Sequence, residues 1–186
     1  MNLDRREFIA MTLITASCLR AQAKGAFASH IKIAADAEPG DRLIITGRVF
    51  DGSGHPVPNV EIYAYHTDAN GYYRTDHRVP DWPSMPPRLE GRLQTASDGS
   101  YAIDTIRPAP YPSRGNPAHI HFRLFAPGRS REGAILWFTG DPYLTADQIR
   151  LYASGGTFSR IQTLERGSDG RLHCTRDFRL GSEEIP

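Results

Sequence analysis

Pro117-Ala118-His119-Ile120-His121-Phe122 decides the reading of this chain. The run continues through Arg123-Leu124-Phe125 and has the apolar alternation of a β-strand. Alternate side chains on a strand leave the same face. His119 and His121 therefore project together, while Ile120 and Phe122 project the other way into a core. Two imidazoles on one face are half of a metal site, though histidine also serves on exposed faces and in cores.

Outward from this strand, the sequence is a series of short apolar runs separated by turn signals, which predicts an all-β sandwich of mostly antiparallel strands. Arg42 to Phe50 is β-branched and apolar and ends at the turn Asp51-Gly52-Ser53-Gly54. Val60 to His66 alternates, Ser97-Asp98-Gly99 turns into a strand from Tyr101 to Ile106, and Ile135 to Thr139 is another strand. Phe158 to Leu164 and Leu172 to Leu180 flank the turn Gly167-Ser168-Asp169-Gly170. Proline crowds Val79 to Arg88 and recurs from Pro108 to Pro117, so both segments read as long irregular loops. One short helix is expected at Thr145 to Ala153, opened by a capping box in Thr145-Ala146-Asp147-Gln148.

The 186 residues leave room for one domain with a proper core. Residues 1–28 read as a separate targeting segment. Arg5-Arg6 precedes a moderately apolar stretch from Phe8 to Leu19, and Ala26-Phe27-Ala28 offers a cleavage site before Ser29. That order is a twin-arginine export signal, too short in its apolar part to be a stable membrane anchor. It predicts a periplasmic or secreted domain at 29–186. Residues 1–28 carry Arg5, Arg6, Arg20 and Lys24 against Asp4 and Glu7, so their removal takes the formal charge from +1 to −1. A near-neutral domain gives no electrostatic case for nucleic acid or a membrane surface. Cys18 lies in the targeting segment, where Thr15 makes a poor lipoprotein box. Cys174 alternates with Leu172 on one strand face and reads as a buried, inert thiol.

Six tyrosines, Tyr63, Tyr65, Tyr72, Tyr73, Tyr101 and Tyr111, precede the histidines. Most are expected to pack at strand edges. Tyr111 is held between Pro110 and Pro112, on a loop rigid enough to present a side chain to the histidine face. A phenol titrates near pH ~10, so it becomes a ligand only where a metal displaces its proton. A hard, highly charged ion such as Fe(III) does this, whereas Zn(II) more often recruits Cys, His and carboxylate.

Here the sequence resembles the intradiol ring-cleavage dioxygenases, the protocatechuate and catechol dioxygenase superfamily, and most of all its short, secreted, single-domain members. The stretches that carry the resemblance are Gly47-Arg48-Val49, Asp68-Ala69-Asn70-Gly71-Tyr72-Tyr73, Thr95-Ala96-Ser97-Asp98-Gly99-Ser100-Tyr101, Thr105-Ile106-Arg107-Pro108-Ala109-Pro110-Tyr111-Pro112 and the His119 strand. The resemblance implies Fe(III) bound by two tyrosines and two histidines. These fall on Tyr73, with Tyr72 the one-residue alternative, and on Tyr111, His119 and His121. Tyr73 and His119 would be equatorial, Tyr111 and His121 axial. It further implies that a catechol and O2 are the substrates and a cis,cis-muconate-type dicarboxylate the product, with Tyr111 leaving the metal to take a substrate proton. It also allows a homo-oligomer, although no apolar seam selects a state. One position departs from the pattern. Family members carry an arginine shortly before the histidine strand, and here that position is Asn116. Arg114, in the same loop, is the candidate to take over its catalytic role. The substrate pocket is expected near Trp82 to Leu89, Tyr72 and Arg74.

Two other readings compete. His66-Thr67-Asp68 with His121 could form the facial triad of an Fe(II) oxygenase. Alternatively, the domain is an exported ligand-binding sandwich without catalysis, since fold alone does not fix function.

Overall fold

Strands form where β-branched and aromatic residues alternate with polar ones, because such side chains pack well on a pleated surface. The protein is described from a computed structural model, which covers residues 27–76, 86–112, 115–129 and 131–182. In chain order the strands are β1 (His30–Lys32), β2 (Arg42–Phe50), β3 (Glu61–His66), β4 (Leu89–Gln94), β5 (Ser100–Ile106), β6 (His119–Phe125) and β7 (Glu132–Phe138). A helix, α1 (Ala146–Tyr152), and a 3-10 turn at Gly156–Phe158 follow. Four short strands close the chain: β8 (Ile161–Gln162), β9 (Glu165–Arg166), β10 (Leu172–Thr175) and β11 (Phe178–Arg179).

These strands make two sheets. One runs β1-β5-β2-β10-β9 with β11 also on β2, and the other runs β4-β3-β6-β7-β8. The long central ladders β2–β5, β3–β4, β3–β6 and β6–β7 are antiparallel. Parallel pairing joins β1 to β5, β10 and β11 to β2, and β8 to β7. The all-β sandwich expected from the sequence is thus present, with parallel strands at its periphery. Leu43, Ile45 and Ile103 of the first sheet pack against Ile62, Leu93, Ile120, Phe122 and Leu136 of the second. Phe122 is fully buried, which contributes on the order of 2 kcal/mol relative to leaving it in water.

The helix follows its sequence signals. Thr145 accepts from the Gln148 N–H, and the Gln148 side chain reaches back to the Thr145 N–H, completing the capping box. Cys174 is buried, and burial pushes its thiol up to about 12. Two expected strands are broken. Phe158 to Leu164 shrinks to β8, because Phe158 closes a 3-10 turn and Ser159 Oγ accepts from Ile161 N–H, drawing the backbone out of a ladder. Leu172 to Leu180 divides into β10 and β11 at Arg176-Asp177. There Gly47 lets the Arg176 carbonyl approach so closely that a Cβ would lie 2.0 Å from it. Tyr101 Oη donates to the same carbonyl at 2.6 Å. β1 and β4 were not anticipated. β4 contains Gly91 and no β-branched residue, and a Cβ at Gly91 would meet the tip of the Ile31 side chain at 2.7 Å.

Candidate metal centre

Register decides which side chains meet. β3 pairs with β6 so that Tyr65 lies opposite His121, Tyr63 opposite Arg123 and His66 opposite Ile120. His119, His121, Arg123, Tyr63 and Tyr65 therefore share the outer face of the second sheet, and His66 shares the inner face with Ile120 and Phe122. Tyr73 follows β3 in the turn that starts at Asp68, and Tyr111 follows β5 between its prolines.

The four residues expected as ligands come together. The hydroxyls of Tyr73 and Tyr111 are hydrogen-bonded to each other. Tyr111 Oη lies 3.0 Å from His119 Nε2. The Tyr111 and His119 rings are 5.0 Å apart and edge-on, and the His119 and His121 rings 4.6 Å apart and edge-on. Tyr73 is buried and brings its hydroxyl to that of Tyr111. The sequence reading missed Tyr65. Its ring stacks on His121 at 4.7 Å and lies 6.1 Å from Tyr73, closing a circle of five rings. Its position in the alternating run Tyr63-Ala64-Tyr65 was the available signal.

Hydrogen bonding orients the donors. A carbonyl can only accept, so the contact of 2.7 Å between His119 Nδ1 and Pro117 O puts the proton on Nδ1 and leaves the Nε2 lone pair facing Tyr111. Asp141 fixes the start of the strand by accepting from Ala118 N–H at 2.9 Å. Burial, more than the neighbouring His119 and Arg123, depresses His121 to about 3, and burial also lowers His119. Both imidazoles are thus neutral at physiological pH, the form that binds metal. Burial, reinforced by Tyr111, raises the Tyr73 phenol above its ordinary value, so this side chain keeps its proton until a metal displaces it.

The donor chemistry fits a hard, trivalent ion. Two phenols and two imidazoles come together, Tyr73 and His119 buried and Tyr111 and His121 half-buried. Among the described residues, no three His, Cys, Asp or Glu side chains converge. The facial-triad alternative is therefore corrected. His66 is fully buried between the sheets, its Nδ1 donating to Thr67 O and its Nε2 accepting from Thr105 Oγ1, both at 2.6 Å. Asp68 Oδ1 accepts from the backbone N–H groups of Asn70 and Tyr72. Asn116 is half-buried, and among the described residues its Oδ1 has no hydrogen-bond partner. Arg114, Cys18, Trp82 and most of residues 1–28 lie outside the described residues.

Residues 21–181 match the family model described as Dioxygenase. Chlorocatechol 1,2-dioxygenase of Rhodococcus opacus is 37% identical over 129 residues, which cover 59% of this chain and 48% of that one. The protocatechuate 3,4-dioxygenase beta chain of Burkholderia cepacia is 38% identical over 122 residues, covering 61% and 52%. The chain thus spans about half the length of these curated relatives. In fold it is similar to the dioxygenase domain of a dioxygenase carbohydrate-binding protein fusion from Streptomyces sp. SirexAA-E, with a TM-score of 0.63, 24% identity and coverage of 89% of this chain and 97% of that one. Because the family model spans both sheets and the loops that bring the phenols to the histidines, the chain belongs to the intradiol ring-cleavage dioxygenases.

Proposed function

We propose that this protein cleaves a catechol-type diol between its two hydroxylated carbons, consuming O2 and giving a cis,cis-muconate-type dicarboxylate. The observation that carries the reading is the convergence of Tyr73, Tyr111, His119 and His121 on one face. These four would hold Fe(III), which supplies a Lewis-acidic centre able to take both catechol oxygens and activate the ring toward O2. Tyr111 is suited to accept a substrate proton. It is less buried than Tyr73 and sits on its own loop, with its hydroxyl beside His119 Nε2. Tyr73, buried and tied on both sides, is suited to stay in place. Tyr65 packs against His121 and Tyr73 and helps to hold both rings in place. Arg114 remains the candidate for stabilising substrate charge where Asn116 replaces the usual arginine, and Arg114→Ala should lower kcat/KM at least about tenfold.

Iron analysis of the as-isolated protein, with visible spectra before and after anaerobic addition of catechol, tests this reading. A red to burgundy phenolate-to-iron band that shifts with catechol is expected. A colourless, iron-free protein that folds normally would favour a binding module. Export by the twin-arginine route completes the proposal, supported by Arg5-Arg6 and Ala26-Phe27-Ala28. Cleavage after Ala28 would remove its carbonyl bond from Gln94 N–H but keep the bond from Ala102 N–H to Ser29. Replacing Arg5 and Arg6 by lysine should retain the full chain inside the cell.

A further inference from the structure

His66-Thr67-Asp68 is not a ligand set, yet all three residues are at least nine-tenths buried and all reach across to neighbouring loops. We propose that this tripeptide is a bracket that positions the two phenols, with Asp68 as its central positioning residue. The proposal rests on the assignment of Tyr73 and Tyr111 as ligands.

The two phenols arrive on separate loops, one leaving β3 and the other leaving β5, so something must fix one loop against the other. Each residue of the tripeptide contributes. His66 Nε2 accepts from Thr105 Oγ1 near the end of β5. Thr67 Oγ1 donates to Ala109 O at 2.7 Å. The Asp68 carbonyl accepts from Ala109 N–H at 3.0 Å and from Gly71 N–H at 3.1 Å. Ala109 stands two residues before Tyr111, so its peptide groups are held from both sides.

The same aspartate holds the other loop. Its Oδ1 accepts from Asn70 N–H at 2.9 Å and Tyr72 N–H at 3.0 Å, and its own N–H donates to Tyr72 O at 2.8 Å. Its Oδ2 lies 3.6 Å from Arg88 Nη2. Arg88 is gripped by both oxygens of Glu38 at 2.6 and 2.8 Å, and its backbone N–H donates to Tyr73 O at 2.9 Å. Tyr73 is therefore fixed by Asp68 through Tyr72 and by Arg88 directly. Bonds to an ionised acceptor are the stronger kind, and mutating residues that orient ligands typically costs about 10–100-fold in metal affinity.

Asp51 supplies an internal control. Its Oδ1 accepts from Ser53 N–H at 2.8 Å and His55 N–H at 2.9 Å in the turn after β2. That turn is at the far end of β2 from Arg42, which pairs with Ile106 beside the Tyr111 loop. The local chemistry matches that of Asp68, but the location does not.

The test uses iron-loaded full-length protein and compares Thr67→Val, Asp68→Asn, Asp68→Ala and Asp51→Ala with wild type. Iron retention against a competing chelator, the position of the phenolate-to-iron band and Tm are read together. Asp68→Ala and Thr67→Val are expected to move the band and to weaken iron retention by about tenfold or more. Asp68→Asn keeps an Oδ1 acceptor and should recover most of the band position. Asp51→Ala should lower Tm and leave the band alone. Wild-type bands and iron retention in both Asp68→Ala and Thr67→Val would overturn the bracket, as would an equal band shift in Asp51→Ala. If Asp68→Ala does not fold, the near-isosteric Thr67→Val decides. A wild type without iron or band overturns the ligand assignment itself, and is recognised before any variant is made.

Discussion

Replacing Gly71 by alanine should disrupt the centre without touching any donor atom. Gly71 has φ +86°, and a Cβ there would lie 2.0 Å from Pro110 O, 2.9 Å from Pro112 Cδ and 3.0 Å from Pro110 C. Ordinary C···O contacts are about 3.3 Å or longer. The Tyr73 and Tyr111 loops must therefore separate by about 1 Å, because the obstructing atom is backbone. Gly54 isolates the other contribution, since it has φ +87° and open space around its Cβ position. Left-handed backbone at alanine costs about 1–2 kcal/mol, partly offset by about 0.4–1 kcal/mol from a stiffer unfolded chain. Overpacking adds roughly 1–3 kcal/mol at Gly71 alone. Gly54→Ala should thus lower Tm by only about 3 °C, and Gly71→Ala by about 10 °C, at roughly 2–4 °C per kcal/mol for a domain of this size. A displacement of ~1 Å in a reacting geometry can cost about a hundredfold in rate. Thermal melts, iron content, the visible band and kcat on catechol measured on both variants check the reasoning. Wild-type iron content, band and kcat in Gly71→Ala would refute it, and so would an equal loss of the band in Gly54→Ala.

Three further outcomes are expected. Burial depresses His66 from 6.5 to about 4, so the unfolded chain takes up a proton first as pH falls. Stability of the metal-free protein is therefore complete above pH ~6.5 and is lost toward pH ~4, by on the order of 3 kcal/mol from this residue; denaturant melts across that range should show a shallower loss in His66→Gln. Tyr65→Leu should shift the phenolate band and weaken iron retention, because the ring stacked on His121 is gone, whereas Tyr65→Phe should keep both near wild type; equal behaviour of the two variants would remove stacking from the account. Thr145→Ala should cost about 1 kcal/mol by removing the helix cap, read from urea midpoints, with no change in the band.

Local patterns made much of the fold legible. Arg42–Phe50 and His119–Phe125 carry strong alternation, and their observed bounds are those the sequence predicts. The Thr145–Gln148 cap is a purely local device and was equally visible. What the sequence hid depends on contacts between distant segments. β4 lacks β-branched residues and exists because Leu89 and Leu93 complete an inner face. The break at Arg176 follows from the approach of its carbonyl to Gly47 and Tyr101. Within the site, the two histidines were legible from spacing, and the two tyrosines from the resemblance. Tyr65 showed only as part of an alternating run, and the pairing of Tyr65 with His121 is what places it on their face. The same pairing turns His66 inward, which no inspection of His66-Thr67-Asp68 alone could reveal.

The hydrogen bond between Tyr73 and Tyr111 has a consequence for how the centre would be loaded. A phenol ordinarily holds its proton at neutral pH, and burial strengthens that hold at Tyr73. The imidazoles are already neutral. Each metal ion captured by all four groups therefore expels two protons, and apparent affinity should rise about a hundredfold for each unit of pH. Loading is then an exchange of two protons for one ion. Such an exchange favours an ion with enough charge to drive both protons out, so the phenol pair would select among metals by charge.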